Sequence, residues 1–153
     1  MDDADPDAGP PRPSALIDEA SHAESFRRVR DARRAELVED YVELIAELID
    51  TEGGARQVDV ARRLGVAQPT VAKMVRRLED EALVTRAAAS RGIALTEAGR
   101  ELAEEARRRH QIVERFLLAL GVEPQVARGD AEGIEHHVSR ETLRAFERFL
   151  DGR

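Results

Sequence analysis

The chain has 153 residues, 42% of them apolar, so it can bury a core and is not disordered throughout. It contains no cysteine, which excludes disulfides, iron–sulfur clusters and thiolate zinc sites. Its apolar runs are too short for a membrane span or a secretory signal. We therefore predict a cytoplasmic protein with no membrane partner.

The formal net charge of −7 is distributed unevenly along the chain. Residues 1–25 hold seven acidic residues and one arginine, whereas residues 54–95 hold eight basic and four acidic residues. The second segment thus carries a charge of +4 inside an acidic protein. A local basic region of this kind favours binding to nucleic acid.

The first part of the chain divides into a tail and a long helix. Residues 1–20 are rich in Pro and Asp without periodicity, so a disordered tail is predicted. Ser21 begins a Ser-x-x-Glu capping box, and apolar residues then recur at helical spacing as far as Ile49. The glycine pair at 53–54 ends this helix.

A compact motif is predicted next. The pattern indicates helices over 58–64 and from Pro69 to about residue 81, followed by short strands over 83–86 and 93–95. Two helices joined by a turn and followed by a two-stranded ribbon are typical of a winged helix-turn-helix.

In a helix-turn-helix the second helix enters the major groove, so its exposed residues are the candidates for DNA contact. Amide, hydroxyl and basic side chains there suit base edges and phosphates, and the wing adds Arg86 and Arg91. A solvated basic face would show a similar pattern, but the local charge and the strand pair favour DNA. The candidate DNA-binding residues are Gln68, Pro69, Thr70, Lys73, Arg76, Arg77 and Arg91.

The remainder of the chain is predicted to be helical. Thr96 is a predicted N-cap for a long helix that runs to Leu120, and Gly121 ends it. A shorter helix over 124–138 follows, and Ser139 is the predicted N-cap of the last one.

Carboxylates and histidines recur at helical spacing on three of these helices. Residues 132, 135 and 136 would share one face, residues 40 and 43 another, and a histidine projects from the long helix. Each group alone is also typical of solvated surface or of a structural histidine. Together, without sulfur, they suit manganese or ferrous iron. The candidate ligands are Asp40, Glu43, His110, Glu132, Glu135 and His136.

Several segments resemble a known family. Residues 57–66 and 69–75 resemble the DNA-binding helices of the diphtheria-toxin-repressor family. Residues 39–43, 109–110 and 130–137 resemble its manganese-responsive branch. The likeness keeps the order and spacing of every motif from about residue 24 to the end of the chain.

The resemblance implies a homodimer, joined through the C-terminal helices, that binds a palindromic operator in double-stranded DNA and represses manganese-uptake genes. It implies that the six candidate ligands hold one or two Mn²⁺ ions per subunit, with Glu132 and Glu135 placed to bridge. The iron-responsive branch generally has Met at the position of Asp40 and Cys at that of Glu132, so manganese is favoured over iron.

The predicted fold is therefore mainly α. A winged helix-turn-helix DNA-binding domain over residues 21–96 is followed by an all-helical metal-binding dimerisation domain over residues 97–153. The alternative is a metal-independent winged-helix regulator that responds to a small molecule, which leaves the six candidate ligands unexplained. A metalloenzyme is disfavoured, because neither a pair of Glu-x-x-His motifs nor a His-Glu-x-x-His motif is present.

Overall fold

The computed structural model describes residues 18–87 and 92–152, which fall into two compact units. In the first unit, which ends at Asp31, the described residues are exposed and form the beginning of helix α1. That helix begins at Glu19, two residues before the predicted start at Ser21. The helix begins earlier because Asp18, and not Ser21, caps it. The Asp18 carboxylate accepts a hydrogen bond from the Ser21 backbone N–H at 3.0 Å.

The described ranges contain six helices and one two-stranded sheet, which confirms the predicted mainly α fold class. In chain order they are α1 Glu19–Glu52, α2 Gln57–Leu64, α3 Gln68–Asp80, β1 Val84–Ala87, β2 Gly92–Leu95, α4 Glu97–Ala119, α5 Pro124–Ile134 and α6 Arg140–Asp151. Most ends lie within three residues of the prediction. Helix α5 is the exception, because it ends at Ile134 and not near residue 138.

Helices α2 and α3 and the strand pair form the predicted winged helix-turn-helix. Strands β1 and β2 are antiparallel, with Val84 opposite Leu95. The backbone N–H of Ile93 also donates to the carbonyl of Ala55 at 2.7 Å, so the residues just before α2 are attached to the ribbon. Gly65 ends α2 with a φ of +66°, a conformation that favours glycine.

Two apolar clusters stabilise the unit that begins at Ala32. The larger one joins the C-terminal half of α1 to α2, α3, the strands and the start of α4. Its fully buried side chains include Val42 and Ile45 of α1 and Val75 and Leu78 of α3. The smaller cluster joins α4, α5 and α6. The C-terminal half of helix α1 is therefore packed against the winged helix-turn-helix.

A close backbone contact joins the strand pair to the long helix α4. Thr96 is the N-cap of α4, as predicted: its hydroxyl accepts from the Gly99 N–H at 3.0 Å and donates to the Ala82 carbonyl at 2.7 Å. A Cβ atom built on Gly99 would lie 2.0 Å from the carbonyl oxygen of Leu83. Only glycine allows these two backbone segments to lie so close together.

Within the described residues, none of the helices combines the length and the apolar character that crossing a bilayer requires.

We expect Gly99→Ala and Gly129→Ala to change stability in opposite directions. Alanine normally stabilises a helix by about 0.5–1 kcal/mol relative to glycine, and the space around Gly129 in α5 is open. At Gly99 the added methyl overlaps the Leu83 carbonyl, so a loss of about 1–3 kcal/mol is expected. Urea unfolding of the two variants measures the difference, and equal stabilisation by both would contradict the close contact.

Candidate metal centre and DNA interface

Two imidazoles and several carboxylates meet where α4 and α5 face α1. His110 projects from α4, Glu132 from α5, and Glu135 is the first residue after α5. One potential ligand atom from each of these three side chains lies within 4.8 Å of the other two. This is the spacing of a group that can coordinate one cation.

Glu135 is the most buried member of the group, with 2% exposure. Its Oε2 lies 3.1 Å from Nδ1 of His110 and its Oε1 lies 3.2 Å from Nε2 of His136. Oε2 has no hydrogen-bond partner among the described residues. Burial, together with the negative charges of Glu132 and Glu43, raises the pKa of Glu135 to about 8.

His136 connects this group to α1. Its side chain is only 3% exposed, and its Nε2 lies 3.5 Å from Oδ1 of Asp40. Its Nδ1 lies 2.9 Å from Oε2 of Glu39. Although burial opposes it, hydrogen bonds from His136 and Arg109 lower the pKa of Glu39. An ionised carboxylate can only accept, so Nδ1 carries a proton, and Nε2 is the nitrogen that faces Asp40 and Glu135 and could bind a metal. The hydrogen bond to Glu39 also raises the pKa of His136, although burial opposes it.

Asp40 and Glu43 bring two further carboxylates from α1. Burial raises the pKa of both, and the charge of Glu132 raises each of them further. For Glu43, the charge of His110 acts in the opposite direction. The charge of Glu132 therefore disfavours the ionised forms of Asp40, Glu43 and Glu135, and a cation would offset that effect.

The donor set fits a divalent cation. It offers two imidazole nitrogens and four carboxylates without sulfur, which is the ligand chemistry of manganese and ferrous iron. The buried Oε2 of Glu135, which lacks a hydrogen bond among the described residues, provides an independent sign of fit.

The structure groups three of the six predicted ligands, His110, Glu132 and Glu135, at a spacing that could hold a cation. Close contacts join His136 to Glu135 and Asp40, whereas Glu43 interacts with the group through the charges of Glu132 and His110. The arrangement differs in one respect from the one that the spacing suggested. We predicted that Glu132, Glu135 and His136 share one face of a helix. In fact α5 ends at Ile134; Glu135 keeps helical backbone angles and His136 lies in the turn that follows. Because the chain continues nearly helically for one residue, Glu132 and Glu135 still meet at His110.

Sequence reasoning did not select three neighbouring side chains that hold the imidazoles. Glu39 accepts from His136, and Arg109 forms an ion pair with Glu39. On the other imidazole, Nε2 of His110 lies 3.5 Å from Oε2 of Glu114. The i, i+4 spacing from His110 could have identified Glu114. No local pattern identifies Glu39, which lies 97 residues from His136.

The predicted DNA-reading residues occupy the outer side of α3. Gln68, Pro69, Thr70, Lys73 and Arg76 are all exposed there, opposite the buried stripe of the helix. These side chains are accessible to a nucleic acid, and their polar and basic chemistry suits one.

The other predicted basic contacts are placed differently. Arg77 is half-buried and its Nε lies 2.8 Å from a carboxylate oxygen of Glu81. Arg86 of β1 is paired with Glu79 at 3.2 Å. Arg91 lies outside the described residues.

An exposed recognition helix on a winged helix-turn-helix, together with a carboxylate–histidine centre that includes α1, defines a metal-responsive DNA-binding protein. The family models agree. "Iron dependent repressor, N-terminal DNA binding domain" matches residues 35–90, and "Iron dependent repressor, metal binding and dimerisation domain" matches residues 96–152. The chain belongs to the iron-dependent repressor family of transcriptional regulators, as the sequence motifs predicted, and is not an enzyme.

Named relatives are similar over most of their length. The transcriptional regulator MntR of Escherichia coli O157:H7 is 60% identical over 134 residues, which are 88% of this chain and 86% of that protein. MntR of Salmonella typhimurium strain LT2 is 59% identical over 86% of this chain and 83% of its own length. Among solved structures, the manganese regulator SloR matches with a TM-score of 0.65 and 31% identity over 74% of this chain. The chain spans only 53% of the SloR chain.

We expect Glu39→Gln to weaken divalent-metal binding by about 10–100-fold, the usual effect of removing a carboxylate that orients a ligating histidine. The amide lacks the charge that keeps the proton on Nδ1 of His136. Competition with a fluorescent chelator measures the affinity. Glu47→Gln, an exposed carboxylate on the same helix, is the matched control. Identical affinities for the two variants would refute the orienting role.

Proposed function

We propose that this chain is a manganese-dependent repressor that acts in the cytoplasm as a homodimer. With metal bound, it binds a palindromic operator and represses manganese-uptake genes. The metal ligands we assign are Asp40, Glu43, His110, Glu132, Glu135 and His136, for one or two ions per subunit.

The observation that carries the proposal is the convergence on Glu135. Its buried carboxylate lies between two imidazoles, close to further carboxylates, and one of its oxygens has no hydrogen bond within residues 18–87 and 92–152. Such an arrangement is costly without a positive charge. A divalent cation would supply that charge, and the residues proposed to hold it come from α1 (Asp40 and Glu43), from α4 (His110), and from α5 and the segment that follows it (Glu132, Glu135 and His136).

The chain's own residues connect this centre to DNA binding. Asp40 and Glu43 lie on α1, and Tyr41, Val42 and Ile45 of the same helix pack in the core that also contains α3. Residues that hold α1 against α4 and the end of α5 therefore also set the position of the recognition helix.

Dimeric binding makes that position important. Two recognition helices must enter successive major grooves about 34 Å apart, so fixing their orientation removes an ordering cost from DNA binding. By linkage, metal and DNA then strengthen each other's binding, typically by about 1–3 kcal/mol.

Manganese is preferred over iron for two reasons. The donor set contains only carboxylates and imidazoles, with Asp40 and Glu132 where sulfur-bearing residues stand in the iron-responsive branch. In addition, solved structures similar to this chain include one described as a manganese regulator and another as a manganese-dependent repressor in complex with manganese.

The first test is DNA binding with and without metal. We expect purified, chelator-treated protein to retain a few fragments of its own genome at fixed salt only after Mn²⁺ is added, and Glu135→Gln to lose this response. Because the raised pKa of about 8 leaves the Glu135 carboxyl largely uncharged at neutral pH without metal, the neutral amide should leave the stability of the metal-free chain nearly unchanged. Unfolding therefore cannot account for the loss.

Glu101→Gln, an exposed carboxylate on α4, is the control and should behave as the parent chain does. Equal retention with and without Mn²⁺ by the parent chain would overturn the proposal and favour the metal-independent alternative.

The recognition helix is tested separately. We expect the double substitution Lys73→Gln and Arg76→Gln to weaken operator binding while Mn²⁺ affinity stays unchanged. If both side chains contact phosphates, DNA affinity becomes less dependent on salt. The magnitude of the slope of log affinity against log salt then decreases by about one for each side chain removed. Arg100→Gln on α4 is the control. An unchanged affinity and slope for the double variant would show that α3 does not contact DNA through these residues.

A further inference from the structure

A groove of about 570 Å³ lies between α4 and α6. Its basic lining comes from Arg108 and Arg115 of α4 and from Arg144 and Arg148 of α6. We call this the α4–α6 groove. Among the described residues that line it there is none of the six proposed metal ligands and no residue of α3.

The α4–α6 groove holds more positive charge than its acidic neighbours balance. Arg108 is paired with Glu147 at 2.6 Å. In contrast, Arg115, Arg144 and Arg148 form no ion pair with any residue in the described part of the chain, although Asp151 also lines the groove. Arg144 and Arg148 are spaced i, i+4, where like charges repel.

The shape of the groove indicates a ligand larger than a single inorganic ion. Its volume lies within the range of small-molecule sites, about 300–1,000 Å³. The buried side chain of Ile112 and the half-buried Leu150 give it an apolar surface beside the arginines. A second groove of about 330 Å³ shares Arg108 and Arg144 and continues along α4 and α6 to Arg140.

Guanidinium groups are the side chains best suited to phosphate, because their planar fork donates two parallel hydrogen bonds. We propose that the α4–α6 groove binds an organic polyphosphate of the nucleoside di- or triphosphate class. The phosphates lie along Arg115, Arg144 and Arg148, and the base or sugar packs on Ile112 and Leu150. This site is separate from the metal centre and from the recognition helix.

Calorimetric titration of the full chain tests the proposal. The protein is chelator-treated and no divalent metal is added, so that the phosphates cannot bind through a metal. We expect ATP to bind and adenosine not to bind. The double substitution Arg115→Gln and Arg148→Gln should weaken ATP binding about a hundredfold, since each charge-assisted hydrogen bond lost removes about tenfold in affinity.

Three further variants make the result specific. Arg100→Gln, on α4 but outside the groove lining, and the double substitution Lys73→Gln and Arg76→Gln on α3 should leave ATP affinity unchanged. The double substitution Arg115→Lys and Arg148→Lys keeps the charge without the fork and should give an intermediate affinity. The circular dichroism spectra of all variants should match that of the parent chain.

Titration with pyrophosphate separates the contribution of the phosphates from that of the base and sugar. Weaker binding of pyrophosphate than of ATP supports the apolar contact with the base or sugar, and equal binding overturns that part of the proposal. The whole proposal is overturned if the parent chain does not bind ATP, or if the groove variants bind it as the parent does. Loss of ATP binding in the α3 variant alone would also overturn it, because the polyphosphate would then occupy the DNA-binding face.

Discussion

Where α4 and α5 face α1, the carboxylate of Glu135 is buried between the imidazoles of His110 and His136. Burial and neighbouring negative charge raise its pKa to about 8, so its ionised form is disfavoured at neutral pH without a compensating cation. Hydrogen bonding to Glu39 meanwhile keeps the proton of His136 on the nitrogen away from this group. The helices therefore bring together carboxylates whose ionised forms a positive ion would stabilise, and we propose that the response to metal depends on that property.

Helix α1 connects this condition to the DNA-binding surface. Along one stretch of four residues it carries Asp40 and Glu43, which face the metal centre, and Tyr41 and Val42, which are buried in the core shared with α3. Because an α-helix has 3.6 residues per turn, residues 40 and 43 lie on one side of α1, and residues 41 and 42 lie on the other side. The proposed ligands Asp40 and Glu43 thus lie on a helix that already packs in the same core as α3.

Periodicity and capping residues were enough to predict every helix and the strand pair, because these features are local. They also selected the candidate ligands on α1, α4 and the end of α5. They did not predict that α5 ends at Ile134 or that Asp18 caps α1, since these ends depend on particular hydrogen bonds. Contacts between distant segments depend on tertiary packing, and the spacing of residues along the chain does not reveal them. Examples are the contact of Glu39 with His136 and the groove between α4 and α6.

The single residue between β2 and α4 has a mechanical consequence. Thr96 bonds to the backbone on both sides of this junction, and Gly99 lies directly against Leu83, so the ribbon and the long helix meet without a flexible linker. His110 is eleven residues beyond Gly99, or about 16 Å along the helix axis. Helix α4 is thus a lever that is fixed to the wing at its N-terminal end and carries the imidazole of His110, a proposed metal ligand, near its middle. A tilt of this lever displaces the wing relative to a DNA groove by a distance that scales with its length.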